Sequence, residues 1–344
     1  MITEEIASHV FPDNPTPFAP APWARSPHLQ SIFASLRLRA LGKNEMVDNA
    51  RKIILDGGGG VRLLAFHSAQ RRKKPKAFVL LIHGWEGSSD STYMLHTGRY
   101  LYRLGCDIAR LNLRDHGDSH HLNEGMFNGT LIAETATAVG NAAGLAPDLP
   151  FFIVGFSLGG NFALRLALSR NGSPIGRLCH VVCVSPLINP YRSTVLIDKL
   201  PLYRHHFLHK WKRSLRRKQK LFPQLYQFDD LLHLNNTMAL TERLINRYTE
   251  FDGCRDYFNH YTLETKTFHD LAVPVTVVAA EDDPVIPAGD VRAIAGNPLL
   301  RLLIQRRGGH CGFLDPFPFG CWYEELIDRI IVHAIEQAGN AFSE

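Results

Sequence analysis

The sequence predicts an α/β protein: a mostly parallel, twisted sheet with helices on both faces and a helical cap inserted between later strands. Three observations point there. From residue 78 onward short apolar runs alternate with helical stretches, the run at 151–154 passes directly into GFSLGGN and a helical pattern, and the alternation halts over 186–270 before resuming. Apolar runs of strand length separated by helices are the pattern of parallel strands joined by crossover helices. An interruption as long as 186–270 exceeds a simple connection within a compact sheet, so it reads as a cap on a main domain formed by 51–185 and 271–344.

Residues 1–50 read as an arm packed on that domain. Prolines at 12, 15, 17, 20, 22 and 27 fix φ and remove donors, so the segment reads as extended, with no regular structure before about Leu29. The chain starts acidic, with no basic stretch ahead of a long apolar run, so a secretory signal is not expected. Runs 51–56 and 61–67 flank four glycines and read as a hairpin, since glycine supplies the positive φ of a tight turn. A phosphate-binding loop at those glycines would open a helix, and this one opens a strand. Further strands are expected at 78–82, 107–111, 151–154, 180–184, 275–280 and 302–304, with helices at 91–104, 130–143, 158–169, 288–295 and 322–337. The apolar runs are far shorter than the roughly 20 residues of a membrane span.

Apolar residues make up 45% of the chain, enough to bury a substantial core. Six cysteines, at 106, 179, 183, 254, 311 and 321, form no CxxC pair, which implies free thiols in a reducing cytoplasm. The net charge of +5 is unevenly placed, because nine Lys or Arg and no acid lie within 199–220 and the remainder is mildly acidic. A local basic patch argues against nucleic acid as a partner. In the same stretch Phe207, Leu208, Trp211, Leu215 and Phe222 recur at helical spacing. Two readings stand: a solvated face packed on the core by its apolar residues, or peripheral contact with anionic membrane or an acidic substrate group.

The chemistry centres on Ser157. A strand, a GxSxG turn and a helix follow one another at 151–163, and Gly155, Gly159 and Gly160 provide the small neighbours such a turn requires. Two partners follow in the order acid, then histidine. VTVVAAEDDPVIP ends a strand on adjacent carboxylates, of which Asp283, directly before proline, is favoured over Asp282 to orient an imidazole. His310, in RRGGHCGF between the last strand and last helix, is the expected general base. Cys311 lacks a second base and reads as inert. After strand 78–82 the turn HGWEGS is expected to aim the Trp85 N–H, together with the Leu158 N–H, at a developing oxyanion. Both act through backbone, so side-chain identity there should matter little, and Glu86 reads as solvated or helix-capping.

These residues resemble the α/β hydrolase superfamily, and within it the YheT-like branch of predicted hydrolases. The likeness runs from Pro22 to the last helix, through PWARSPHLQSIF (22–33), HGWEGSSDSTY (83–93), GFSLGGN (155–161) and EDDPVIP (281–287), while RDHGDS at 114–119 departs from the RGxxG form of the branch. The resemblance implies hydrolysis of small-molecule carboxylic esters with no metal or organic cofactor. Rival readings are imidazole metal ligation by His116, His120 and His121 or by His205, His206 and His209, acyl transfer on the same three residues, and a noncatalytic membrane-associated scaffold.

Overall fold

The computed structural model describes residues 10–40, 42–71, 73–168, 175–315 and 320–340. One sheet holds β1 Arg51–Asp56, β2 Arg62–Ser68, β3 Ala77–Ile82, β4 Cys106–Leu111, β5 Phe151–Phe156, β6 Leu178–Val184, β7 Val275–Ala280 and β8 Leu300–Gln305. Their spatial order is β1-β2-β4-β3-β5-β6-β7-β8. The β1–β2 hairpin joins β4 antiparallel, and every later neighbour pairs parallel. All residues of β3, β4, β5 and β7 are buried, which is why β3, β5 and β7 read as near-continuous apolar runs, while β4 also buries Asp107 and Arg110.

The helices are α1 Pro27–Ser35, α2 Glu45–Asp48, α3 Thr92–Arg103, α4 Ile132–Ala143, α5 Leu158–Leu166, α6 Pro190–Lys199, α7 Pro201–Leu221, α8 Thr237–Tyr248, α9 Gly253–Asn259, α10 Ala288–Arg292 and α11 Trp322–Asn340. Alternate β3 residues serve opposite faces of the sheet. Phe78, Leu80 and Ile82 join Ala138 of α4 and Phe162 of α5, while Val79 and Leu81 join Met94 of α3 and Ile327 of α11. Each of these side chains other than Ala138 contributes about 1.5–3 kcal/mol on burial. The helix expected over 158–169 ends at Leu166, and residue 169 lies outside the described residues.

The arm carries no helix or strand over residues 12–21 and departs from the extended reading only just before Leu29. A 3-10 turn spans Pro22–Ala24 and α1 begins at Pro27, with the Ser26 Oγ accepting from the Leu29 N–H. A proline at the first helical position loses only an N–H that has no helical acceptor, so Pro27 starts this helix rather than breaking it. Helices α6 to α9 cover the carboxyl ends of the strands. Part of this layer has its own core, in which Leu208 and Leu215 of α7 pack with Phe228, Leu240 and Leu244.

Candidate active site

Ser157 stands between β5 and α5 at φ 53° and ψ −116°, a left-handed conformation that a residue with a Cβ adopts only under constraint. Three bonds hold it: its N–H donates to Val184 O (3.0 Å), while its carbonyl accepts from Leu187 N (3.0 Å) and Asn161 N (3.1 Å). The flanking glycines are there for space. A Cβ on Gly155 would collide with the Gly159 carbonyl, and one on Gly159 with the carbonyls of Ile82 and His83. Asn161 ties the turn to the cap region by donating to Leu187 O (2.8 Å) and Tyr261 O (2.9 Å).

His310 Nε2 lies 3.0 Å from Ser157 Oγ, and its Nδ1 lies 2.9 Å from Asp283 Oδ2. A carboxylate only accepts, so in the neutral ring the proton sits on Nδ1 and Nε2 accepts from the serine hydroxyl. Burial alone lowers the His310 pKa, but the Asp283 carboxylate, with a further contribution from Cys311, carries it well above the ordinary value. Asp283 is itself fixed, because its Oδ1 accepts from Val285 N (2.8 Å) and Ile286 N (2.9 Å). Asp282 turns elsewhere and accepts from Gly309 N at 2.9 Å, bracing the backbone beside the histidine. The second Asp282 oxygen is buried without a partner, and burial raises its pKa. Cys311 is buried against Val184, and its N–H donates to Ser185 Oγ (3.1 Å).

Trp85 and Leu158 both face the cavity that Ser157 opens into. Leu158 opens α5, so its N–H belongs to the first turn and has no intrahelical acceptor. Trp85 is the second residue of the turn Gly84–Gly87, closed by Gly87 N donating to Gly84 O (2.9 Å), and a Cβ on Gly84 would stand 3.1 Å from the Ser157 Cβ. His83 fixes the approach: its Nε2 accepts from Leu113 N (3.1 Å), which leaves Nδ1–H to donate to Gly84 O (2.7 Å). The Trp85 side chain is not incidental. Its ring stacks on Phe207 and meets Trp211 edge-on, each at 5.1 Å, so the turn is clamped to α7.

Glu86 is neither solvated nor helix-capping. It occupies the third turn position at φ 53°, lines the cavity, and burial pushes its carboxyl up to about 8 despite Lys210 and Arg213 nearby. The basic stretch, without an acid in sequence, finds acids in the fold. Lys218 is buried on Asp115 (2.8 Å), Arg217 pairs with Asp118, and Lys210 donates to the Glu86 carbonyl (3.4 Å). Part of this charge therefore faces the protein, and α7 is not a uniformly solvated face.

His116 Nδ1 bonds to Arg114 O and His120 Nε2 to Ser214 Oγ, each at 2.7 Å. Among the described residues no group of three or more His, Cys, Asp or Glu is arranged to hold a metal ion. No helix among them is long and apolar enough to cross a membrane.

The motif reading passed over the arm. Ser31 Oγ accepts from His310 N (2.8 Å), while Gln30 accepts from Leu314 N (2.7 Å) and donates to Ala24 O (2.9 Å). A Cβ on Gly309 would strike the Pro27 carbonyl, so α1 lies directly under the histidine loop. The available signal was a polar Gln-Ser pair within an apolar helical stretch.

The cavity over Ser157 measures about 930 Å³. Its lining includes the apolar Leu187, Ile197, Leu244, Ile245, Phe258 and Val285, and the charged Arg37, Glu86, Asp90, Asp115, Lys210, Arg213 and Arg217.

A family model described as serine aminopeptidase, S33, matches residues 73–298. The chain belongs to that family of α/β hydrolases. The narrower YheT-like branch receives no separate support. Mouse phospholipase ABHD3 is 22% identical over 271 residues, covering 77% of this chain and 65% of its own length. The monoacylglycerol lipase of Saccharomyces cerevisiae is 22% identical over 273 residues, 74% of this chain and 59% of its own. The chain thus spans about two thirds or less of these relatives. Among solved structures, the Pyrococcus furiosus esterase Pf2001 superposes with TM-score 0.53 at 16% identity over 82% of this chain and 89% of that one. A membrane phospholipase A, described as a bacterial virulence factor, superposes with TM-score 0.54 at 15% identity over 90% and 92%. At such identities the likeness establishes the fold of this hydrolase.

Proposed function

We propose that this hydrolase cleaves carboxylic esters of lipid-like molecules through an acyl-enzyme on Ser157. The observation that supports this most is the continuous chain of contacts from Ser157 Oγ through His310 to Asp283 at the wall of a 930 Å³ cavity. In the first half-reaction His310 Nε2 takes the hydroxyl proton as Ser157 Oγ bonds to the ester carbonyl carbon. The carbonyl oxygen becomes an oxyanion facing the N–H groups of Trp85 and Leu158. The tetrahedral intermediate collapses, the C–O bond to the alcohol breaks, and the imidazolium protonates the leaving alcohol. Water then repeats the sequence on the acyl-enzyme, releasing acid and restoring Ser157.

Two features favour an ester over a peptide amino terminus. The apolar lining suits an acyl chain. The cationic part of the lining would repel the ammonium that an aminopeptidase must bind. The names of the relatives, phospholipase and monoacylglycerol lipase, point to lipid-like esters as well. We also propose that the exposed cations of α7, Arg216 and Lys220, meet anionic membrane, with the exposed Ile32, Leu36 and Leu202 beside the cavity mouth.

The deciding experiment is Ser157→Ala, assayed on a soluble aryl ester and with a fluorophosphonate probe. Labelling should vanish and kcat/KM should fall by several orders of magnitude with the fold intact. Activity within about tenfold of wild type would remove Ser157 from the mechanism.

A further inference from the structure

The cavity lining is apolar in part and cationic in part, and the ester bond divides a substrate the same way. Cleavage at Ser157 separates an acyl part from an alcohol part. The apolar lining on α6, α8 and α9 matches a hydrocarbon chain. The cationic part of the lining lies by the Gly84–Gly87 turn, where α7 is clamped by Trp85 against Phe207 and Trp211.

In that part three cations converge. Lys210 is half-buried and bonds to the Glu86 carbonyl; burial lowers its pKa, the Glu86 carboxyl opposes that shift, and repulsion from Arg213 and Arg37, both exposed at the cavity, adds to it. Among the described residues no carboxylate forms an ion pair with Arg37, Lys210 or Arg213. The neighbouring acids are engaged elsewhere, Asp90 on Arg110, Asp118 on Arg217 and Asp115 on Lys218. Glu86 lines the same part of the cavity, and burial pushes its carboxyl up to about 8 against the pull of Lys210 and Arg213, so at neutral pH its charge offsets theirs only in part. Like charges only partly compensated repel one another, less so where solvent screens the exposed Arg37 and Arg213, and a bound anion relieves that repulsion.

We infer that Lys210 and Arg213, with Arg37, form a subsite for a phosphate group carried on the alcohol side of the ester. This inference rests on the proposed ester hydrolysis at Ser157. Phosphate fits better than carboxylate. It has more charge and more acceptor oxygens, enough to engage three cationic side chains at once. The substrate class is then an acyl ester of a phosphorylated alcohol.

The test uses the purified full chain and two esters with the same acyl group, a 1-acylglycerol and a 1-acylglycerol 3-phosphate, both below their micellar concentrations. Wild type should favour the phosphate ester in kcat/KM by roughly tenfold or more, the scale of one charge-assisted contact. Arg213→Gln and Lys210→Gln should each bring the ratio towards one, and Arg213→Lys should keep most of it. Because the ratio is read within one protein, damage to the cap lowers both rates and cancels. A wild-type ratio at or below one, or a ratio that survives both Gln variants, overturns the subsite. If neither ester is cleaved and Ser157 is not labelled, ester hydrolysis fails instead. Calorimetric binding of the phosphate ester to Ser157→Ala, with and without Arg213→Gln, then decides the subsite: binding weakened by Arg213→Gln upholds it and binding unaffected by it refutes it.

Discussion

Exchanging Asp283 for Asn replaces one oxygen by an NH2 group at nearly constant shape, and the surroundings dictate which way the amide points. Val285 N and Ile286 N both donate to Oδ1, so the Asn oxygen must stay there and its NH2 must face His310 Nδ1. An NH2 cannot accept, so Nδ1 becomes the acceptor and the ring proton moves to Nε2. Nε2 then donates to Ser157 Oγ, and it cannot take the hydroxyl proton. A wrong tautomer of this kind lowers kcat by about 10⁴, or about 5 kcal/mol in the barrier. Asp282→Asn retains an acceptor for Gly309 N and removes a carboxyl whose other oxygen has no partner, so its effect should stay within about tenfold. The assay is kcat/KM on a soluble aryl ester across the neutral range. In wild type the rate should rise as pH passes the raised His310 pKa, because only the neutral ring is a base. Without the Asp283 charge that limb should move to lower pH, along with the loss in rate. Equal losses at the two positions, or an acid limb that stays in place in Asp283→Asn, would refute the reasoning.

Ser31→Ala removes the oxygen that accepts from His310 N, so kcat should fall about tenfold with little change in KM or Tm, measured by steady-state kinetics and thermal melting. Lys218→Met strands Asp115 in the interior and should cost about 3–5 kcal/mol in urea unfolding, whereas Arg216→Gln, on the exposed face of α7, should cost under about 0.5 kcal/mol. Co-sedimentation with anionic vesicles should behave oppositely. Binding should drop when Arg216 and Lys220 become Gln and persist through Arg217→Gln, whose charge is already spent on Asp118.

The fold was legible because its signals are local. Continuous apolar runs at β3, β5 and β7 mark strands buried on both faces, and the glycines around Ser157 mark a turn whose flanks have no room for a Cβ. Order along the chain also indicated where an acid and a histidine would stand. Packing decided what local pattern could not. Asp282 and Asp283 are neighbours of the same chemistry, yet the turn aims one carboxylate at the imidazole ring and the other at Gly309 N. The charges on α7 looked uncompensated because their partners are remote, Asp115 lying 103 residues from Lys218 and Asp118 lying 99 from Arg217. The prolines predicted an arm extended to about Leu29; the structure departs from this by a 3-10 turn at Pro22–Ala24 and by Pro27 opening α1, whose Ser31 supports the His310 loop from 279 residues away. Backbone propensity acts over a few residues and is therefore written in the sequence. The partner a side chain meets, and with it the charge of Glu86 or the burial of Lys218, is set by distances that exist only once the cap closes over the sheet.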